Sequence, residues 1–374
     1  MDNDYNDYVY QTMLTCIGNK RKLVSHIRSI ICEIKNNLSK DKLNIVDGFS
    51  GSSVVSRDLS YIANNIYTND LELYSYIMAY CYLVKPSDIQ KEKIINHINI
   101  MNEIAENGPY IEGIICKYYA PKNTDDIKEG ERCFYTRENA LIIDTLRKYI
   151  SDNVEPDISN YCIAPLLNKA SINTNTSGVF KGFYKNNNIG CFGGKGKHAL
   201  TRIKKPIRLD IPIWNNLEYN AYISNKDINI LVNELPEDID IIYLDPPYNQ
   251  HPYGSNYFML NIIAKNEEPE NISYISGIPK IWNKSNYNNK NAIYSMKDLL
   301  MNGIAKSKYL LISYNNEGII KEDDWKKLFE PYNVKKYEIK YDTYKGCRNL
   351  KERNNKVVEI MYLISKKNSH EPCL

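Results

Sequence analysis

Four apolar residues, Ile241-Ile242-Tyr243-Leu244, run straight into Asp245-Pro246-Pro247-Tyr248. The apolar run reads as a strand buried on both faces, as in a parallel sheet. Two successive prolines deny the chain both a helix and another rung of the sheet ladder, so the strand stops there. An acid is thereby held at a strand's carboxyl end, on stiff backbone, with an aromatic after it. In open α/β sheets that is where ligands bind. A strand that simply ends in a turn has the same local sequence, and only the rest of the chain separates the two readings.

The same rhythm recurs upstream. In "GNKRKLVSHIRSIICEIKNNL" (Gly18 to Leu38), Leu23, Ile27, Ile30, Ile31 and Ile34 fall at helical spacing. "LNIVDGFSGSSVVSRDL" (Leu43 to Leu59) is a short apolar strand, an acid, a turn of small residues and a helix. A second strand at Ile66 to Asn69 ends at Asp70 and is followed by another helix. Two strand-to-helix units in series indicate a parallel sheet. From Lys85 the pattern changes to helices, among them "TRENALIIDTLRKYI" with Thr136 as N-cap, and then to a loop-rich stretch. Strands return at Ala221–Ser224, Ile239–Leu244 and Tyr309–Ser313, and "VKKYEIKY" with "KVVEIMYLISKK" reads as a closing hairpin. The expected fold is α/β: one doubly wound, mostly parallel sheet formed by residues 1–84 and 216–374, with residues 85–215 as a large, mainly helical insertion.

The turn "DGFSGSS" (Asp47 to Ser53) stands where nucleotide-binding turns stand, after a strand and before a helix. Gly48 and Gly51 let the backbone approach a ligand, and Ser50, Ser52 and Ser53 leave space. The acid directly after the strand would repel a pyrophosphate and attract a cation. Asp70 lies about 20 residues on, where a carboxylate accepts ribose hydroxyls. The pair suits a ligand with a ribose and a positive charge but no phosphate, and S-adenosylmethionine meets that description. A capped turn and a solvated aspartate would account for each feature taken singly.

With "DPPY" (Asp245 to Tyr248) downstream of "DGFSGS", the chain resembles DNA methyltransferases that modify the N6 amino group of adenine. It is most similar to their Dam-like group, of restriction-modification type, in which cofactor segments precede the catalytic motif and a recognition domain lies between. "IGNKRKL" (Ile17 to Leu23), "SYNNEG" (Ser313 to Gly318) and "TYKGCRNL" (Thr343 to Leu350) extend the resemblance over most of the chain. It implies a methyltransferase domain at 1–84 and 216–374 and a target-recognition domain at 85–215. It further implies that Lys20, near Gly18 and Asn19, helps hold the methionine carboxylate. Asp47, Gly48, Phe49 and Gly51 would line the cofactor and Asp70 would bind its ribose. Asp227 would accept from the cofactor adenine or, equally, cap the helix that follows it.

The chemistry gives the catalytic motif its composition. An adenine amino group is a poor nucleophile because its lone pair is delocalised into the ring. Asp245 and the carbonyl of Pro246, aimed by the stiff Pro246-Pro247 backbone, would each accept one N–H and localise that pair. A base in a duplex must be flipped out to reach them, and Tyr248 offers it a stacking face. The polar stretch from Asn249 to Lys290 reads as a mobile loop over the substrate.

Between Val179 and Leu209, Lys181, Lys185, Lys195, Lys197, Arg202, Lys204, Lys205 and Arg208 occur without an acid, interleaved with Phe180, Phe183, Tyr184 and Phe192. Such a run is expected to contact the phosphates of double-stranded DNA, with Arg348 as a further contact, although a solvated basic loop has the same composition. Methylation of the cytosine amino group, for which Ser usually replaces the acid of the motif, and a DNA-binding module with a decayed site stay open as alternatives. Nine scattered cysteines without a C-x-x-C pair, and five histidines without a cluster, point to reduced thiols and no metal site. No apolar run approaches the roughly 18 residues of a membrane span. The expectation is a cytoplasmic protein, bacterial or phage-encoded, with a possible cognate restriction endonuclease as partner.

Overall fold

In the computed structural model the strand-then-helix rhythm becomes one mixed, mostly parallel seven-stranded sheet flanked by helices. The structure describes residues 3–14, 16, 18–194, 196–197, 199–342 and 356–367. The strands are β1 (Leu43–Asp47), β2 (Ala63–Asn69), β3 (Lys185–Asn186), β4 (Ile189–Gly190), β5 (Asn220–Ser224), β6 (Ile239–Leu244), β7 (Ser307–Asn315), β8 (Tyr332–Asp342) and β9 (Lys356–Lys366). The chain divides into two units. Met1–Asn19, Glu72–Asn216 and Tyr253–Asn283 form one, and Lys20–Leu71, Leu217–Pro252 and Lys284–Leu374 form the other.

The second unit holds the sheet, in the order β5-β2-β1-β6-β7-β9-β8. Strands β5, β2, β1, β6 and β7 run parallel, while β9 pairs antiparallel with both β7 and β8. The closing hairpin thus enters with its later strand innermost. From β1 the chain builds outward on one side through β2 and β5, and from β6 it builds on the other. The order therefore reverses between β1 and β6, whose Asp47 and Tyr243 are register partners. Every residue of β1 and β6 is buried, as expected for central parallel strands. On one face Val46, Ile242, Leu244, Leu310 and Ile312 pack with Leu231, Met296, Leu299 and Trp325 from helices Ile228–Glu234, Ala292–Lys306 and Glu322–Phe329. On the other, helix Val54–Leu59 packs on β1 and β2, and helix Val24–Asn37 packs on it in turn.

The other unit is mainly helical and has its own core. Tyr119, Phe134, Phe180 and Phe258 meet ring to ring in tilted and edge-on pairs. Thr136 caps helix Arg137–Asn153 by accepting from the Asn139 N–H, as the sequence indicates. Ser87 and Gln90 form a reciprocal capping box at helix Asp88–Asn107. Buried Asp144 accepts from the N–H groups of Gly113, Ile115 and Cys116 at the start of helix Ile114–Tyr119. The span 85–215 lies within this unit, which also takes in residues on either side of it.

One expectation is corrected here. Part of the stretch read as a mobile loop forms helices Tyr253–Asn256 and Phe258–Lys265, with Phe258, Met259, Leu260 and Ile263 in the core. Beyond them Arg132 donates to the carbonyls of Ser273, Tyr274 and Ile275, and the Tyr119 hydroxyl to that of Gly277. Abundant Asn and Lys disguised a segment whose apolar residues pack inward. No described helix is long and apolar enough to cross a membrane.

Candidate active site

The reversal between β1 and β6 brings two aspartates together at the strands' carboxyl ends. Asp47 closes β1, and Asp245 follows β6 directly. The turn after Asp47 is bound tightly into the sheet. The Gly48 N–H donates to the Tyr243 carbonyl, and the Ser50 N–H donates to that of Asn69. Asn69 reaches back with its side-chain amide to the carbonyls of Gly48 and Lys226. Two glycines serve different ends. A Cβ on Gly48 would stand 2.9 Å from both Ile228 and Leu244, so that glycine answers to packing. Gly51 has φ +50°, and a Cβ there would meet nothing within 4 Å, so its outer side is open. Its N–H donates to Asp70 Oδ2 at 2.7 Å, which joins the turn to the tip of β2.

The turn holds buried polar atoms that the described residues do not satisfy. Asp47 Oδ2 accepts from Ser56 at 2.6 Å, but its Oδ1 has no partner among the described residues. The hydroxyls of Ser50 and Ser53 are in the same condition. Burial pushes the Asp47 carboxyl up to about 7, against the Ser56 hydrogen bond and with the charges of Asp245 and Asp70 adding to it. A buried carboxylate with an idle oxygen, beside idle hydroxyls and an open glycine, fits a cationic, hydroxyl-bearing ligand. The residues present are compatible with S-adenosylmethionine, which carries a positive charge and hydroxyls.

Asp245 sits in a second cluster on the same sheet face. Lys20 Nζ lies 2.7 Å from Asp245 Oδ1 and 3.0 Å from Glu359 Oε1, and Ser313 donates to that Glu359 oxygen at 2.6 Å. Burial opposes the Lys20 charge, but the carboxylates of Asp245 and Glu359 outweigh it and hold the ammonium well above its ordinary range. For Asp245 the balance runs the other way. Burial raises its pKa, Lys20 lowers it, Glu359 raises it again, and the net shift is upward. Lys20 engages Oδ1, while the side chain as a whole remains 17% exposed, so a donor can still approach the carboxylate. An ammonium has three donors, and two are taken here.

Tyr248 is half-buried and supported from β7. Its carbonyl accepts from the Ile319 N–H, and its ring lies edge-on to Tyr314 at 6.4 Å. Tyr314 packs in turn on Trp325, and its hydroxyl accepts from the Ile320 N–H. A Cβ on Gly318 would fall 2.2 Å from the Tyr314 ring, which accounts for the glycine in "SYNNEG". Pro246 is buried and Pro247 half-buried. Phe49 packs edge-on against Tyr287 at 5.3 Å.

The remaining sequence-derived residues fall out as follows. Gly18 takes φ +80°, and the Asn19 amide donates to the Cys16 carbonyl. Asp227 caps helix Ile228–Glu234, accepting from the Asn229 N–H at 2.8 Å. In the basic segment Lys181, Lys185, Lys197 and Lys205 are exposed. Lys204 pairs with Asp125, and Arg202 turns inward to the Thr174 carbonyl. Phe180 and Phe192 are buried. Lys195, Arg348 and the segment Thr343 to Leu350 lie outside the described residues. Sequence reasoning missed Asn69, Ser313 and Glu359. For Glu359 a signal was there: it is an acid within the apolar strand "VVEIMYLI".

Comparison with known proteins gives consistent results. The family described as D12 class N6 adenine-specific DNA methyltransferase matches residues 16–328. The chain is 26% identical over 363 residues to the type II methyltransferase M.NlaIII of Neisseria lactamica, covering 94% of this chain and 98% of that one. It is 27% identical to the type II methyltransferase M.CviAII of Paramecium bursaria Chlorella virus 1, over 93% and 97% of the two chains. The modification methylase StsI of Streptococcus sanguinis is 26% identical over 94% of this chain but only 52% of its own length.

Proposed function

The chain belongs to the D12 class of N6 adenine-specific DNA methyltransferases, and from that premise we propose how its own residues carry the reaction. The enzyme methylates the N6 amino group of adenine in DNA in a sequence-specific manner, using S-adenosylmethionine. The cofactor supplies a methyl group activated on a positively charged sulfur.

Asp245 is the central acceptor. One of its oxygens is held by Lys20, and the carboxylate as a whole accepts one amino proton of the adenine. The Pro246 carbonyl accepts the other, and together they draw the nitrogen toward tetrahedral geometry. The localised lone pair would take up the methyl group as its bond to sulfur breaks, and the positive charge that develops on N6 would be discharged when an amino proton passes by way of Asp245 to solvent. Tyr248 stacks on the flipped base, its ring backed by Tyr314. Asp47 and Asp70 hold the cofactor's cationic and ribose portions, Gly51 leaves it room, and Gly48 and Phe49 shape the same wall. Lys20 keeps one N–H for the methionine carboxylate, with Gly18 and Asn19 leading the chain to it. Asp227 reads the cofactor adenine while capping its helix. The observation that best supports these assignments is the juxtaposition of two upward-shifted aspartates, buried Asp47 and partly exposed Asp245, at the carboxyl ends of β1 and β6.

Target recognition is assigned to residues 85–215, with Lys181, Lys185, Lys197 and Lys205 on phosphates; Lys195 and Arg348 keep that role from sequence alone. Lys204 and Arg202 are weaker candidates, because each already has an internal partner. The relatives named for type II systems support a cognate endonuclease as partner, and a bacterial or viral cytoplasmic setting. Base-resolved mapping of unmethylated genomic DNA after treatment with enzyme and S-adenosylmethionine tests the reading. N6-methyladenine confined to one short motif is the expected result. Methylated cytosine amino groups, or adenines without a common motif, would overturn it.

A further inference from the structure

The cluster around Asp245 contains one carboxylate more than a simple ion pair needs. Lys20 bridges Asp245 and Glu359 at 2.7 and 3.0 Å, and Glu359 is only 2% exposed. Burying a second acid beside the first is costly unless it is hydrogen-bonded and paired. Ser313 meets the first condition and Lys20 the second. The geometry is deliberate in the sheet's own terms: Ser313 stands opposite Met361, and Glu359 is two residues along β9 on the same face. A neutral Lys20–Asp245 pair would have been cheaper to bury.

We propose that Glu359 is a positioning residue for methyl transfer: it shares Lys20 with Asp245 and leaves the buried trio with one net negative charge facing the adenine nitrogen. One ammonium against two carboxylates sums to minus one, whereas Lys20 and Asp245 alone sum to zero. The transfer moves a unit of positive charge onto N6, and a site of net negative charge gains more attraction as that happens than a neutral ion pair does. Glu359 also limits how strongly Lys20 is drawn to Asp245, so that Asp245 keeps its capacity to accept an N–H. The other groups that bear on Asp245 are Asp47 from β1, with Asp70 beyond it, and Tyr243 from β6. None of them touches Lys20 as Glu359 does. The inference rests on the assignment of Asp245 as acceptor.

The test is single-turnover methyl transfer by Glu359→Gln across pH, with S-adenosylmethionine binding measured in parallel. Gln keeps the size and an acceptor for Ser313 but not the charge. A unit charge one residue from the reacting centre should change the transfer rate on the order of 10- to 100-fold. The acid limb of the rate profile should move to lower pH, because the charge that raises Asp245 is gone. Glu359→Asp should recover part of the rate and return the limb toward its original place. A purely structural role would lower the rate without moving the limb, and that result, or an unchanged rate, overturns the proposal. If Glu359→Gln fails to bind cofactor, Glu359→Met removes the same charge at similar length, with a shift of the limb in the same direction expected and no shift refuting it. Asp245→Ala separates the acceptor role of Asp245 from the positioning role of Glu359. Retained activity in that variant defeats the acceptor assignment and this inference together. An inactive Asp245→Ala beside a Glu359→Gln enzyme with wild-type behaviour defeats this inference alone.

Discussion

Asp240 and Asp245 stand at opposite ends of the same strand, and the protein treats them in opposite ways. Asp240, near the amino end of β6, is fully buried and accepts from Lys40, Lys308 and the backbone N–H of Asn44. Burial raises its pKa, but these donors outweigh burial and hold it below the usual carboxylate range. Among the described residues Asp245 has one cation, which it shares with another acid, and it is pushed upward. The described donors settle Asp240 as a charge and leave Asp245 with fewer partners. An acid saturated with donors suits a role in the fold, and one with fewer donors suits the acceptor role proposed for Asp245.

Three experiments test that contrast. The largest effect is expected at the undersupplied end. Asp245→Ala should reduce methyl transfer by about three orders of magnitude or more, since it removes a preorganised acceptor from the reacting nitrogen. The variant should still bind S-adenosylmethionine and melt no lower than wild type, as equilibrium binding and calorimetry would show. At the saturated end the effects should exchange places. Asp240→Asn should cost about 2 kcal/mol, because the buried Asn44 N–H loses a charged acceptor and the partly exposed lysines lose a partner. Its transfer rate below the melting point should match wild type, and a large rate loss at unchanged stability would erase the distinction.

The smallest effect is a difference in pH slopes. A carboxyl whose pKa is raised by folding stabilises the native state only while protonated, so its contribution is lost as pH rises toward the folded value. For Asp47 that window runs from about 4, where it ionises when unfolded, to about 7. Asp245 adds a loss of the same sign. Asp240 is depressed, so its contribution is present above about 4 and lost as pH falls below it. The melting temperature of Asp47→Asn, compared with wild type without cofactor, should therefore gain steadily between about pH 4 and 7. A difference that stays flat across that range would mean that Asp47 is ionised throughout.

Much of the fold could be read from the residues alone, for reasons of period and punctuation. β6 is itself a largely apolar run closed by Asp245 and two prolines, and Thr136 announced its helix with an oxygen where the first N–H groups need one. The core helix at Phe258 was hidden because Asn and Lys dominate the stretch around it, and composition averages over faces that packing separates. The basic segment posed the same difficulty. A count of Lys and Arg cannot tell that Arg202 folds onto Thr174, or that Phe180 and Phe192 belong to a core. In the site, motifs marked Asp47, Asp70 and Asp245 because each stands at the carboxyl end of a strand. Glu359 had no such marker. It becomes meaningful only when β9 is laid against β7, a pairing fixed by the sheet and not by neighbouring sequence.

The place of β9 also has a bearing on how the enzyme comes into being. A ribosome delivers the chain from its amino end, and domains settle in that order. Lys20, Asp47 and Asp245 are all made before β9, yet β9 inserts between β7 and β8 and carries Glu359 into the cluster. Until it does, the two strands it joins are unpaired edges, and Lys20 has only one of its two acids. A nascent or truncated chain lacking this strand would hold most of the motifs by which the enzyme is known and would still be an unfinished methylase. The cluster around Asp245 is completed only when this strand takes its place.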